Sequence, residues 1–186
     1  GATPDVAPVA DAAQRSDANA VHALLQQGAD PNAAQADGLT GLHWAALNDQ
    51  LEIAQVLLYA GATVKPVTRV GGYTPLHLAS RAGHDAIVRA LLEAGADPDR
   101  FTTTGVTALH FAAAADGGGA VDALTEHGAN VDAGDSFSNR TPLMFASVRN
   151  ALKAMQALVN AGADLSATTA VKNYAETAEA DTAERE

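Results

Sequence analysis

Thr74-Pro75-Leu76-His77-Leu78-Ala79-Ser80 decides the reading of this chain, because the same word is written three more times. It stands as Thr40-Gly41-Leu42-His43-Trp44-Ala45-Ala46, as Thr107-Ala108-Leu109-His110-Phe111-Ala112-Ala113 and as Thr141-Pro142-Leu143-Met144-Phe145-Ala146-Ser147, at intervals of 34, 33 and 34 residues. Outward from each word the register persists. Gly-Ala pairs begin at Gly28, Gly61, Gly95, Gly128 and Gly162, spaced by 33, 34, 33 and 34. A fixed period of this length marks units that stack on their neighbours, each too small to bury a core alone.

The third unit shows what one period builds. Thr74 is a helix-capping residue type, and Pro75 sits at the first helical position, where a missing N–H costs nothing. A helix through Leu76, Leu78 and Ala79 then meets a turn at Ala82-Gly83-His84. Ile87, Val88, Leu91 and Leu92 recur at helical spacing, which predicts a second helix that Gly95 closes. The next ten or so residues, rich in Asp, Pro, Thr and Gly, read as an extended finger. Ala45, Ala79, Ala112 and Ala146 mark the middle of each first helix, so neighbouring helices approach closely; this gives the 44 alanines of the 186 residues a purpose.

The Thr-Pro-Leu-His-x-Ala word and its period resemble the ankyrin-repeat family over roughly residues 8–166. The resemblance implies an all-α repeat solenoid of stacked helix-turn-helix units with β-hairpin-like fingers. The units are expected at about 6–32, 33–66, 67–99, 100–132 and 133–166, within a domain spanning 1–170. Gln14, Arg15, Asp17 and Asn19 make the first unit a polar cap. Residues 171–186 read as a C-terminal helix or acidic tail; stopping there, the chain could be a fragment of a longer polypeptide. The Gly-Ala-Asp-Pro-Asn wording is similar to that of bacterial ankyrin proteins, some of them exported.

Composition narrows the functions. Eleven Lys and Arg against 22 Asp and Glu give a net charge of −11, which disfavours nucleic acid and anionic membranes as partners. No apolar run approaches the roughly 18 residues of a membrane span, so membrane insertion is not expected and the chain is read as soluble. Its compartment stays open between the cytoplasm and export after removal of a signal peptide. No cysteine is present for a disulfide, a thiolate metal site or a nucleophile. Nucleophile-elbow, zinc-protease and phosphate-loop motifs are missing, so no enzyme is expected. Gly117-Gly118-Gly119 replaces an ordinary turn and reads as a loosened start to a helix, with a hinge as the rarer meaning.

His43, His77 and His110 form a column, with Met144 in the fourth place. Rings in adjacent units, about 10 Å apart, cannot share a metal ion whose bonds are about 2.1 Å. The resemblance instead implies structural rings that tie one finger to the next through backbone groups. Asp30, Asp97, Asn130 and Asp164 follow the Gly-Ala pairs as turn residues bonding local backbone; Thr63 replaces them in the second unit. No cofactor or metal is expected, and a small-ligand site on the histidine column is the disfavoured rival.

What remains is surface. By the resemblance, finger residues and the solvent side of the first helices line a concave face, which carries over to Leu39; Arg69, Val70 and Tyr73; Val106; and Phe137 and Arg140 on the fingers. Leu47, Asn48, Arg81, Val148 and Arg149 join them from the first helices. Leu39, Tyr73, Val106 and Arg140 immediately precede the threonines as a mainly apolar row expected to face solvent. Lys65, Arg69, Arg81, Arg100, Arg140 and Arg149 place six of the 11 cations in fingers or on first helices, an arrangement suited to a protein partner with an acidic surface. The second and fourth fingers each hold one residue more than the others and should bulge at Arg69-Val70-Gly71 and Ser136-Phe137-Ser138. The expected function is a non-enzymatic, monomeric protein-interaction module.

Overall fold

The computed structural model describes residues 7–169; the stretch expected as a C-terminal helix or acidic tail lies outside them. The described residues form ten helices in five pairs: α1 Pro8–Gln14 with α2 Ala18–Gln26, α3 Gly41–Leu47 with α4 Leu51–Tyr59, α5 Pro75–Ala82 with α6 Asp85–Glu93, α7 Ala108–Ala114 with α8 Gly118–Glu126, and α9 Pro142–Arg149 with α10 Leu152–Asn160. The expected all-α repeat solenoid is what forms. Helices of seven to nine residues are too short to persist alone in water, so stacking holds them.

First helices pack on first helices and second on second along the chain. Ala45, Ala79, Ala112 and Ala146 are fully buried where consecutive first helices meet, and Leu57, Leu91, Leu124 and Leu158 are fully buried along the second helices. Each second helix ends the same way. In α6 the Ala96 N–H reaches Leu91 O at 3.0 Å and the Gly95 N–H reaches Leu92 O at 2.9 Å, with Gly95 at a φ of +84°. That pair of bonds needs a left-handed residue past the cap, and glycine takes the conformation without strain.

The fingers contain no β-strand among the described residues, only one antiparallel bridge between Phe101 and Thr107. Each is closed by a backbone bond: Gln35 N–H to Leu39 O, Thr68 N–H to Tyr73 O, Thr102 N–H to Val106 O and Asp135 N–H to Arg140 O, at 2.9–3.0 Å. The closing bond in the second and fourth fingers encloses one more residue, so the extra residue sits in the tip. Thr68 and Asp135 fill the wider loops with side-chain oxygens, which accept the N–H of Tyr73 and of Arg140, each at 3.0 Å. Neighbouring fingers are laced edge to edge by Arg69 N–H to Asp37 O, Thr103 N–H to Gly71 O and Ser136 N–H to Thr104 O.

Gly117, Gly118 and Gly119 stand at the start of α8. Gly117 caps α8, and the next two are its first residues. A Cβ on Gly119 would collide with the Asp85 carboxylate and one on Gly118 would press on Lys153, while one on Gly117 would meet only ordinary contacts.

Candidate functional site

The inner surface is assembled on the histidine column. The Nδ1 of His43 takes both the N–H and the hydroxyl of Thr40, at 3.1 and 2.9 Å, and His77 and His110 treat Thr74 and Thr107 alike. Two donors on Nδ1 leave the ring hydrogen on Nε2, which donates across to the next unit: to Tyr73 O at 3.0 Å, Arg100 O at 2.8 Å and Arg140 O at 2.9 Å. The acceptor precedes a threonine where the next finger is long and lies at the finger's base where it is short. Burial disfavours the charged ring and lowers the pKa of His43 and of His77 to about 4, and shifts that of His110 in the same direction. Both nitrogens of each ring are occupied. Among the described residues no cluster of three or more His, Asp or Glu is placed to hold a metal ion.

Two hollows open on the face formed by fingers and first helices. The smaller, about 270 Å³, is walled by Asp37, Leu39, Leu47, Thr68, Val70, Tyr73, Leu78 and Arg81. The larger, about 750 Å³, is walled by Arg81, Phe111, Ala114, Ala115, Arg140, Met144, Phe145, Ser147, Val148, Arg149 and Thr169. Arg81 borders both, and its guanidinium carbon stands 5.2 Å from the centre of the Tyr73 ring. Arg140 lies 4.9 Å over Phe145 while its Nε and Nη2 donate to Asp135 at 2.9 and 2.7 Å. Burial opposes ionisation of Asp135, but the N–H groups of Ser138 and Arg140 and the guanidinium outweigh it, and its carboxyl is held below the ordinary value. Arg140 is thus paired with Asp135. Arg81 and Arg149 form no ion pair among the described residues.

Eight of the twelve residues expected on this face, Leu39, Leu47, Val70, Tyr73, Arg81, Arg140, Val148 and Arg149, border one hollow or both. The other four do not. Asn48 donates its amide to Gln14 O at 3.3 Å, Arg69 and Phe137 sit exposed at finger tips, and Val106 is only 8% exposed. The row before the threonines therefore does not face solvent as expected: Val106 is buried, Leu39 and Tyr73 are half-buried against the core, and Arg140 alone is exposed. The N–H and carbonyl of Val106 both turn inward to Thr102.

Phe111, Met144 and Phe145, which floor the larger hollow, were missed. Phe111 and Phe145 hold the variable place of the repeated word, where Trp44 and Leu78 also stand. A variable position always filled by a large apolar side chain was the available signal.

The sequence model for ankyrin repeats, in three copies, matches residues 9–102 and 98–169. The chain belongs to the ankyrin-repeat family. Among its relatives, palmitoyltransferase Hip14 of Drosophila melanogaster is 44% identical over 78 residues, 42% of this chain and 12% of that protein. Human palmitoyltransferase ZDHHC17 is 36% identical over 75 residues, 40% of this chain and 12% of its own. Putative palmitoyltransferase ZDHHC13 of Danio rerio is 32% identical over 124 residues, 67% of this chain and 19% of its own. The matched ankyrin region is thus a small part of each relative. These three are animal proteins and lend no support to the bacterial source expected from the turn wording. No helix among the described residues is long and apolar enough to cross a membrane.

Proposed function

We propose that this ankyrin domain is a non-enzymatic protein-interaction module that holds an acidic segment of a protein partner in the larger hollow of its concave face. The observation that carries the reading is the convergence of Arg81, Arg140 and Arg149 on one apolar-floored hollow of about 750 Å³ in a chain of net charge −11. Phe111 and Phe145 supply area to desolvate, while guanidinium groups give paired bonds to carboxylates. Leu39, Leu47, Val70 and Tyr73 extend the contact toward the N-terminal units, with Asn48, Arg69, Val106 and Phe137 outside its centre. The module acts as a monomer of five units bounded at about 6–32, 33–66, 67–99, 100–132 and 133–166.

The test is selection of peptides on the immobilised domain, followed by anisotropy with each selected peptide and its Asp/Glu-to-Asn/Gln counterpart. Acidic peptides that lose most of their affinity when neutralised, and that fail to bind Arg81→Ala/Arg149→Ala, support the reading. Selection of neutral peptides indifferent to both arginines overturns it.

A second reading has this domain recruiting partners for a larger polypeptide. It draws support from the palmitoyltransferases, in which the matched region is 12–19% of the whole. Reading the open frame on both sides of the segment tests it, and a frame that adds no further domain removes it.

A further inference from the structure

The turns after the second helices are joined by a ladder of side-chain rungs, and one rung is missing. Asn32 Oδ1 accepts the Thr63 N–H at 2.8 Å, Asp99 Oδ1 accepts the Asn130 N–H at 2.7 Å and Asp132 Oδ1 accepts the Asp164 N–H at 2.9 Å. Each oxygen comes from the fourth residue after a Gly-Ala glycine and serves the second residue after the next one. At the junction of the second and third units the fourth residue is Lys65, which has no acceptor to offer, and the N–H it should serve belongs to Asp97. That N–H has no hydrogen-bond partner among the described residues. In its place lies a hollow of about 390 Å³, walled by Val64, Lys65, Thr74, Ala96, Asp97 and Arg100. Neither the Lys65 ammonium nor the Arg100 guanidinium is in an ion pair among the described residues.

We infer that this hollow is a carboxylate-binding site, in which a carboxylate from outside the domain takes the place that Asp99 and Asp132 fill at the later junctions, accepting the Asp97 N–H between Lys65 and Arg100. The physics is that of the intact rungs with the charges rearranged. A carboxylate oxygen on a backbone N–H is a charge-assisted bond, and Lys65 and Arg100 outnumber the one Asp97 carboxylate in the hollow's wall, which favours an anion there over a neutral acceptor. The Asp97 carboxylate does not fill the place, because its Oδ1 is turned to the Asp99 N–H at 3.0 Å. A carboxylate is the matched chemistry because two of the three standing rungs are carboxylates. The site lies apart from the arginine hollow and does not depend on the role given to it.

Titration of the whole chain with sodium acetate, followed residue by residue in amide NMR spectra at constant ionic strength, tests this. The Asp97 amide proton should move downfield and saturate, while those of Asn130 and Asp164, already bonded, stay in place. Asp30, whose N–H is also unpaired but has no unit before it, should stay too. Lys65→Asp should supply the rung from within: its Asp97 amide starts downfield and no longer answers acetate. Lys65→Met, which removes a cation without restoring the rung, should weaken the response without abolishing it. A still Asp97 amide overturns the site, as does movement of Asp30 to the same extent or an undiminished response in Lys65→Asp. Inorganic phosphate is the second arm. A saturable shift with phosphate and none with acetate would overturn the carboxylate assignment in favour of a phosphoryl ligand.

Discussion

Three buried imidazoles carry the ties between units, and they do so only when neutral. A proton on Nδ1 of His43, His77 or His110 would confront the threonine N–H that now donates to it. The pKa of each is lowered in the fold, chiefly by burial, so these rings stabilise it fully above the unfolded value of about 6.5, and that stability is lost as pH falls from there, through about 4 for His43 and for His77. At about 1.4 kcal/mol per pH unit, the displacement is worth roughly 3 kcal/mol for His43 and for His77. Denaturant unfolding at a series of pH values should show this decline above the range where most carboxylates titrate, and a stability flat between pH 6.5 and 4.5 would contradict it. His77→Leu should cost about 1–3 kcal/mol for each buried partner left unpaired, here the Thr74 N–H and Arg100 O, and should also flatten the acid profile. The recurrence of these histidines was legible in the sequence. Their acceptors were not, because finger length decides which carbonyl comes within reach. The same limit applies to Arg140, whose charge is shared with a carboxylate five residues back that the sequence did not single out.

Short helices joined by fingers make each element dependent on the next. Leu91 in α6 is fully buried, and Leu91→Ala should cost about 2–5 kcal/mol of folding free energy, while Glu93→Ala, exposed on the same helix, should leave the thermal midpoint nearly unchanged. In the fourth finger Asp135→Ala strands the N–H groups of Ser138 and Arg140 and frees the guanidinium; a loss of about 1–3 kcal/mol is expected, with new mobility confined to residues 134–140. Amide exchange would register both. The helices were readable because the threonine caps, the Gly-Ala stops and the apolar spacing agree in the four units that carry the repeated word. The longer second and fourth fingers were readable from the interval alone. Burial within the fingers was not, since Leu39 and Val106 stand at equivalent places in short fingers and still differ in exposure. Tyr73 packs on His77 and Phe111, with ring centres 6.4 and 5.9 Å apart, so Tyr73→Ala should lower stability as well as any affinity.

At the scale of the molecule, stacking turns a repeated word into columns, and a column is where a variable position becomes a surface. Trp44, Leu78, Phe111 and Phe145 are separated by 34, 33 and 34 residues, yet Phe111 and Phe145 share one hollow with Arg81, Arg140 and Arg149. Sequence reasoning placed the arginines there but not the aromatic floor, because it followed the family's contact positions and left the variable place unread. Charge acts at this scale too. A cationic hollow on an acidic body should steer an acidic partner, so raising salt should slow association more than it speeds dissociation. The most direct measurement is calorimetric titration of a partner captured on the wild-type domain against Arg81→Ala, Arg149→Ala, Val148→Asp and Glu93→Ala, each first shown to unfold like wild type. The account predicts at least a tenfold loss of affinity, about 1.4 kcal/mol, for the first three and none for Glu93→Ala; a Glu93→Ala loss equal to theirs, or three unaffected variants, would contradict it.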